Sequence, residues 1–277
     1  SKVANCIINC KTGAYGANIS ICEDCGHTQI HYNSCRNRCC PMCQALPKEM
    51  WMDKRREDVL DAPYFHVVFT VPQELNPLIY SNQQLLYDTL YHSVSATINE
   101  LTADTKHLGA KVGYICVLHT WGSEMNFHPH IHAILLGGGL TAKNQWRDKG
   151  EGFFLPVKVL SKLFRGKYLN ELKTLWEENK LQFHGSSVKY RNHYAFKELL
   201  NTCYEKDWIP HCKKTFNGAQ SVINYLGKYT HRIAISNHRI IRMDENTVTY
   251  YVKDYREKGK WKEFTISGVE FIRRFLM

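Results

Sequence analysis

The sequence predicts an α+β protein in which a small cysteine-rich, zinc-binding domain precedes a larger mixed domain. Three observations support this fold class. Eight of the 11 cysteines lie within the first 43 residues, in closely spaced pairs. From residue 64 onwards, short runs rich in β-branched and aromatic residues are typical of strands. Between these runs lie longer segments whose apolar residues recur at helical spacing.

The composition is that of an ordinary folded protein with a basic charge balance. Of its 277 residues, 44% are hydrophobic and 22% are charged, and Lys and Arg exceed Asp and Glu by 36 to 26. From residue 211 to the end the ratio is 13 to 6, which favours a polyanionic partner. Apolar runs fall short of the roughly 20 residues that span a membrane, and the start lacks a secretory signal. We therefore expect a cytoplasmic protein without a membrane partner.

Two C-x-x-C pairs mark the zinc-binding domain, which we assign to residues 1–50. They are Cys22 with Cys25, and Cys40 with Cys43. Each pair can bind one ion from a tight turn through two thiolates, and two pairs complete a tetrahedral site. Four thiolates leave no open coordination position, so we expect this zinc to be structural.

The four other cysteines of this segment could form a second zinc site. They are Cys6, Cys10, Cys35 and Cys39, in two C-x-x-x-C pairs that suit adjacent turns of a helix. Alternatively, some are free thiols, or His27 or His31 acts as a ligand. Arg36 and Arg38 lie between the ligands and could contact DNA phosphates, although simple exposure to solvent also explains them.

The remaining elements follow from helix formers, strand formers and breakers in chain order. A connecting helix is expected at residues 51–62, and the larger domain at 63–277. Its elements are a strand at 64–71, a helix at 83–101, strands at 112–121 and 128–136, a helical insertion at about 141–218, strands at 232–242, 248–253 and 261–266, and a last helix that opens at a capping box beginning at Ser267. Gly137, Gly138 and Gly139 are expected to end the strand at 128–136.

Three histidines of this domain form a candidate metal site. His130 and His132 lie two residues apart on the strand predicted at 128–136, so their side chains share one face and can bind one ion. Alone, this H-x-H pattern is often incidental. A short loop at 122–127 would place His119 opposite His130, whereas a slip of one residue would turn His119 to the other face.

Two tyrosines late in the chain form a candidate pair of nucleophiles. If residues 221–232 are helical, Tyr225 and Tyr229 lie one above the other on one face, with Lys228 and Arg232 on or beside it. A phenol is a weak nucleophile that a metal or a cation must activate, so this arrangement suits phosphate esters. The alternative is a core helix with two packing tyrosines.

Six stretches resemble, in order and across nearly the whole chain, the two-tyrosine HUH transposases of the insertion-sequence ninety-one family. The stretches are Cys22-x-x-Cys25-Gly26, Ser34-Cys35-Arg36-Asn37-Arg38-Cys39-Cys40-Pro41-Met42-Cys43-Gln44, Phe65-His66-Val67-Val68-Phe69-Thr70, Leu118-His119-Thr120-Trp121-Gly122, His128-Pro129-His130-Ile131-His132 and Tyr225-Leu226-Gly227-Lys228-Tyr229-Thr230-His231-Arg232. The family commonly has His at the position of Cys39. Both residues can bind zinc.

The resemblance implies an HUH nuclease domain with a central antiparallel sheet flanked by helices, the histidine strand near its middle. It implies that His130 and His132 bind Mg²⁺ or Mn²⁺, and we add His119 as the third ligand. It makes Tyr225 and Tyr229 the nucleophiles, beside Lys228 and Arg232, which balance phosphate charge.

The activity implied by the resemblance is cleavage and rejoining of single-stranded DNA through 5′-phosphotyrosine intermediates. The expected partner is single-stranded DNA from the hairpin ends of a mobile element, in a bacterial, nucleoid-associated setting. Two other functions stay open. A zinc-dependent nucleic-acid-binding protein without catalysis explains the cysteines and the charge, but leaves the tyrosines and the H-x-H pair as coincidences. A metallohydrolase would use water at the histidines instead.

Overall fold

The computed structural model describes most of the chain, in two compact units. It describes residues 2–37, 39–148, 155–208, 211–216, 221–222, 224–225, 227, 235–254, 257 and 259–276, with the backbone alone at 45, 211 and 213–216. The first unit comprises Ser1–Val59, Ser123–Asn126 and Ile223–Met277, and the second comprises Leu60–Gly122 and Phe127–Val222. The cysteine-rich start thus shares a unit with the last part of the chain, whereas the sequence predicts that this part belongs to the larger domain.

The regular elements are numbered in chain order. The helices are α1 (Lys2–Ile8), α2 (Ala45–Arg56), α3 (Asn76–Ser81), α4 (Gln83–Ala103), α5 (Val157–Glu177), α6 (His193–Glu205) and α7 (Gly268–Phe275). The strands are β1 (Ala17–Ile21), β2 (Thr28–Tyr32), β3 (Tyr64–Thr70), β4 (Lys111–Trp121), β5 (Phe127–Leu140), β6 (Trp146–Asp148), β7 (His211–Phe216), β8 (Ile240–Met243), β9 (Thr247–Asp254) and β10 (Lys260–Ser267). Within the described residues, no helix has the length and apolar content required to cross a bilayer.

The second unit is built on an antiparallel sheet with the strand order β4-β5-β3-β7, and β6 pairs with β5. Strand β5, which carries His130 and His132, is therefore paired on both sides. Helices α3 and α4 contact the sheet, and α5 packs against α4. The predicted α+β fold, with an antiparallel sheet flanked by helices and the histidine strand inside it, is confirmed.

Strand β3 shows how the two faces of this sheet differ. Side chains alternate along a strand, so Phe65, Val67 and Phe69 share one face and His66 lies on the other. Phe69 is fully buried and packs edge-on against Phe164 of α5, with ring centroids 5.1 Å apart. One face of the sheet is thus the hydrophobic core, and the opposite face carries the histidines.

Strand β5 continues through Gly137, Gly138 and Gly139, and the prediction that these glycines end the strand is wrong. Neighbouring backbone lies unusually close to these positions. A Cβ atom on Gly139 would lie 2.2 Å from the carbonyl oxygen of Lys111, and one on Gly137 would lie 2.9 Å from that of Pro63. The glycines therefore permit close approach within the sheet rather than ending the strand.

The segment predicted as a helical insertion contributes strands to the same sheet. Helices α5 and α6 lie within the expected insertion, but β6 pairs with β5, and β7 pairs with β3 through an irregularity at Tyr64 and Phe65. Both strands are short and polar, as edge strands often are, so the sequence offers little alternation by which to recognise them.

The first unit contains a second antiparallel sheet, with the strand order β10-β9-β8. Of the strand expected at 232–242, residues 232–234 lie outside the described part, and the chain then forms a short 3₁₀ turn before β8 begins at Ile240. The Ser267 hydroxyl caps α7 as predicted, accepting a hydrogen bond from the Glu270 backbone N–H at 3.3 Å. Arg239 is buried and donates to the carbonyl oxygens of Tyr251 and Ser123.

Candidate functional site

Three histidines meet on the hairpin of β4 and β5. The register pairs His119 directly with His130, and His132 follows two residues further along β5. One ring nitrogen from each of the three lies within 4.8 Å of those of the other two. The sequence-predicted placement of His119 opposite His130 is thus the one the strands adopt.

The hydrogen bonds of His130 determine which of its nitrogens can bind a metal. Its Nδ1 lies 2.7 Å from the carbonyl oxygen of His128. A carbonyl only accepts, so Nδ1 must carry the proton, and the lone pair is then on Nε2. That Nε2 lies 3.1 Å from Nε2 of His132. Two imidazole nitrogens therefore face one point.

This geometry fits a divalent cation. Imidazole nitrogens bind metals at about 2.0–2.1 Å, so two that share an ion at a right angle lie about 3 Å apart. His119 is 3% exposed and stacks on Trp121, with ring centroids 5.6 Å apart and an interplanar angle of 10°. Imidazole is a common ligand of divalent metals, although Mg²⁺ and Mn²⁺ both also favour oxygen ligands. The three imidazoles therefore fit a divalent cation without selecting between the two predicted ions.

Removal of one imidazole tests this site. We expect His119→Ala to weaken Mn²⁺ binding at least about 10-fold, because a lost ligand should matter no less than a lost partner of a ligand. Isothermal titration of the purified protein with Mn²⁺ measures the effect. His92→Ala, at an exposed histidine of α4, is the matched control and should bind as the wild type does. Equal affinity in the two variants would exclude His119 from the site.

Two further histidines adjoin the cluster. His128 lies beside His130, and burial lowers the pKa of the His128 imidazole, which favours its neutral form. His66 was assigned no role from the sequence. Its Nε2 lies 2.8 Å from Nδ1 of His132, and the two rings are nearly parallel, at 4°. The alternation of side chains along β3 is the one sequence feature that indicates its position, since it places His66 on the face opposite the core residues.

Four cysteines of the first unit form a second cluster with metal-binding geometry. Cys10, Cys35, Cys40 and Cys43 have all four sulfur atoms within 4.8 Å of one another. The Sγ of Cys43 lies 3.4 Å from that of Cys10 and 3.6 Å from that of Cys35. The set fits the closed, four-thiolate site that structural zinc prefers.

This grouping differs from the sequence-based pairing. Cys40 and Cys43 come together as expected, but Cys10 and Cys35 complete the cluster in place of Cys22 and Cys25. The latter two are exposed in the turn between β1 and β2, where backbone hydrogen bonds from Cys25 and Asp24 lower the pKa of the Cys22 thiol. Cys6 and Cys39, which were also predicted as ligands, lie outside the cluster. Cys6 forms a hydrogen bond with Tyr15 instead.

The thiols of the cluster titrate differently from one another. Burial raises the pKa of the Cys35 thiol to about 12. Burial also acts to raise the pKa of Cys43, but hydrogen bonds from Cys10 and from the Arg36 backbone N–H outweigh it and lower that pKa to about 7. Zinc binding at neutral pH must therefore displace protons from the cluster. The Arg36 side chain is exposed between two ligands, and Arg38 lies outside the described residues.

The candidate nucleophiles are only partly described. Ser221, Val222, Asn224, Tyr225 and Gly227 have helical backbone, as the sequence predicts. Tyr225 is half-buried, while Lys228, Tyr229 and Arg232 lie outside the described residues. Gly227 packs against α2, where a Cβ atom would lie 2.1 Å from Sδ of Met52.

Two family models match most of the chain. A model described as "Putative transposase" matches residues 113–277, and one described as "Transposase zinc-binding domain" matches residues 1–71. The first covers the three histidines and both tyrosines, and the second covers the four-cysteine cluster.

Named proteins show the same likeness over the full chain. The "Putative transposase y4qJ" of Sinorhizobium fredii is 41% identical over 277 residues, which is 100% of this chain and 70% of that protein. The transposase for insertion sequence element IS801 of Pseudomonas savastanoi pv. phaseolicola is 26% identical over 271 residues, 97% of this chain and 64% of that one.

Solved structures of the conjugative relaxase TrwC are more remote. A metal-free complex with oriT DNA is 12% identical and covers 59% of this chain and 69% of the relaxase, with a TM-score of 0.34. A metal-bound complex with oriT DNA is 13% identical. The match covers 60% of this chain and 70% of the relaxase, with a TM-score of 0.32.

Proposed function

Because this chain belongs to the two-tyrosine transposases of the insertion-sequence ninety-one family, with their N-terminal zinc-binding domain, we propose that it cleaves and rejoins single-stranded DNA. The observation that carries the proposal is the histidine cluster of β4 and β5. Binding alone does not require imidazoles whose nitrogens converge within 4.8 Å on one point. A site that holds a divalent cation to orient a phosphate for attack can use such a cluster.

The proposed reaction is a transesterification by a tyrosine. The phenolic oxygen of Tyr225 or Tyr229 loses its proton and attacks the phosphorus in line with the bond to the 3′ oxygen. A phosphotyrosine bond to the 5′ side forms, the bond to the 3′ oxygen breaks, and that oxygen takes up a proton. One ester replaces another, so the released 3′-OH can reverse the reaction at a new junction without a nucleotide cofactor. Two nucleophiles allow two covalent ends, in turn or together.

The histidines would hold the cation that this chemistry uses. A bound divalent ion supplies Lewis-acid polarisation of the scissile phosphate. The chain contributes a rigid cradle, because the His130 ring is held by the carbonyl of His128 and the His119 ring by stacking on Trp121. Lys228 and Arg232 are proposed to balance the phosphate charge.

The four-cysteine cluster is proposed to bind a structural zinc that shapes a DNA-recognition surface. Its support is the closed set of thiolates, together with the exposed Arg36 between two of them. The planar guanidinium group of arginine can donate two parallel hydrogen bonds to a phosphate. The folded DNA at an element's end is the proposed target.

One assay separates this function from its rivals. Single-stranded oligonucleotides from the ends of the mobile element are incubated with the protein and Mn²⁺, and the products are resolved under denaturing conditions. We expect a protein–DNA adduct that survives denaturation, plus a fragment ending in a free 3′-OH. Retention of intact DNA in native gels without an adduct would indicate a binding protein. Cleavage without an adduct would indicate a metallohydrolase.

A further inference from the structure

We propose that His66 is a positioning residue that orients His132 and sets its tautomer for metal binding. The inference rests on the proposed function, since it concerns the same cation site. His66 lies on β3, whereas the three candidate ligands lie on the neighbouring strands β4 and β5. Its contribution would therefore come from a different part of the chain.

The strand register explains how His66 reaches the site. Strand β3 runs antiparallel to β5 with Val68 opposite His132, so His66 is the diagonal neighbour of His132 on the same face. The His66 side chain is 8% exposed, and its ring lies nearly parallel to that of His132, at 4°, with centroids 5.1 Å apart, as two rings joined edge to edge do. The 2.8 Å separation of His66 Nε2 and His132 Nδ1 is that of a hydrogen bond.

The chemistry of imidazole assigns the roles in this hydrogen bond. If Nε2 of His132 is to give its lone pair to a cation, Nδ1 must carry the proton and needs an acceptor in this partly buried place. Nε2 of His66 is positioned to be that acceptor, with its own proton on Nδ1. The carbonyl of His128 serves His130 in the same way. In the opposite arrangement, His66 donates, His132 carries its proton on Nε2, and His132 cannot bind the cation through that nitrogen.

A matched set of variants tests the proposal by metal affinity rather than by activity. His66→Leu removes the acceptor, and we expect Mn²⁺ binding to weaken by about 10- to 100-fold, as for other partners of metal-bound histidines. His66→Gln keeps an acceptor at similar reach and should restore most of the affinity. Val67→Ala removes buried methyl groups from the core face of the same strand, so it should lower thermal stability and leave the Mn²⁺ affinity unchanged.

The outcomes distinguish this inference from the proposed function. If the wild-type protein binds no Mn²⁺, the proposed cation site fails. If the wild type binds and His66→Leu binds equally well, only the role of His66 is overturned. Equal losses of Mn²⁺ affinity in His66→Leu and His66→Gln would also overturn the role of His66, because the hydrogen-bond acceptor would then make no difference.

A second measurement needs no variant and covers the case in which His66→Leu does not fold. In Zn²⁺-loaded wild-type protein with ¹⁵N-labelled histidine, a hydrogen bond between the two rings gives a through-bond nitrogen–nitrogen coupling. We expect this coupling between Nδ1 of His132 and Nε2 of His66. Its absence, with both ring signals resolved, would contradict the proposal.

Discussion

The double substitution Tyr225→Phe, Tyr229→Phe is expected to abolish the covalent protein–DNA adduct and to lower strand cleavage by about 10³-fold or more. Phenylalanine keeps the ring and its packing, so the change removes the two proposed nucleophilic oxygens and little else. The measurement is the denaturing adduct assay with single-stranded end oligonucleotides and Mn²⁺, in parallel with DNA binding. Binding should persist, because the charges and the metal ligands are retained.

The single variants show whether both tyrosines serve as nucleophiles. Each single Tyr→Phe variant should still form an adduct but transfer strands poorly, because one covalent end is lost. Tyr251→Phe, at a partly exposed tyrosine of β9, is the matched control and should behave as the wild type does. An adduct in the double variant would place the nucleophile elsewhere. Complete loss of the adduct in one single variant would mean that the enzyme uses only that tyrosine as a nucleophile.

The histidine cluster was largely predictable, because it depends on local rules. Side chains two apart on a strand share a face whatever the rest of the fold does, which fixes His130 and His132. The position of His119 depends on the hairpin register, and an irregularity there could have turned it away. The register does shift, but between His119 and Trp121, on the turn side of the His119–His130 pair. The predicted pairing therefore survives.

His66 could not be predicted in the same way. Its partner His132 lies 66 residues later in the chain, and the contact exists because β3 pairs with β5. Periodicity within a segment shows which face a residue occupies, but not which strand lies beside it. The same limit applies to β7, whose place at the edge of the sheet follows from its pairing with β3.

The cysteines show how a local motif can predict the ligand type but not the grouping. Strands β1 and β2 form a hairpin, with Cys22 and Cys25 in its turn. Cys10 and Cys35 precede and follow the hairpin, and backbone hydrogen bonds such as Lys11 N–H to Asn33 O, at 3.1 Å, join its open end. The hairpin thus brings Cys10 and Cys35 together, where Cys40 and Cys43 can join them. Spacing alone groups the two C-x-x-C pairs and cannot show which cysteines the hairpin brings together.

The grouping of cysteines leads to the second large expected effect. We expect Cys35→Ser to release the zinc bound by the four-cysteine cluster and to unfold the segment from Cys10 to Cys43. Every side chain of β1 and β2 is exposed, so this hairpin buries little apolar surface of its own. Structural zinc contributes on the order of 10 kcal/mol to the folding of small domains, and metal binding must supply what a core does not. Zinc analysis and limited proteolysis measure the two consequences.

Two control variants decide between the observed grouping and the pairing expected from sequence. Cys116→Ser, on β4, makes the same chemical change outside the cluster and should alter neither zinc content nor protease resistance. Cys22→Ser should leave the segment resistant, because Cys22 is exposed and outside the cluster. If Cys22→Ser caused the unfolding and Cys35→Ser did not, the two C-x-x-C pairs would share the ion after all. A hairpin without a core would then depend on a metal at its turn instead of at its open end.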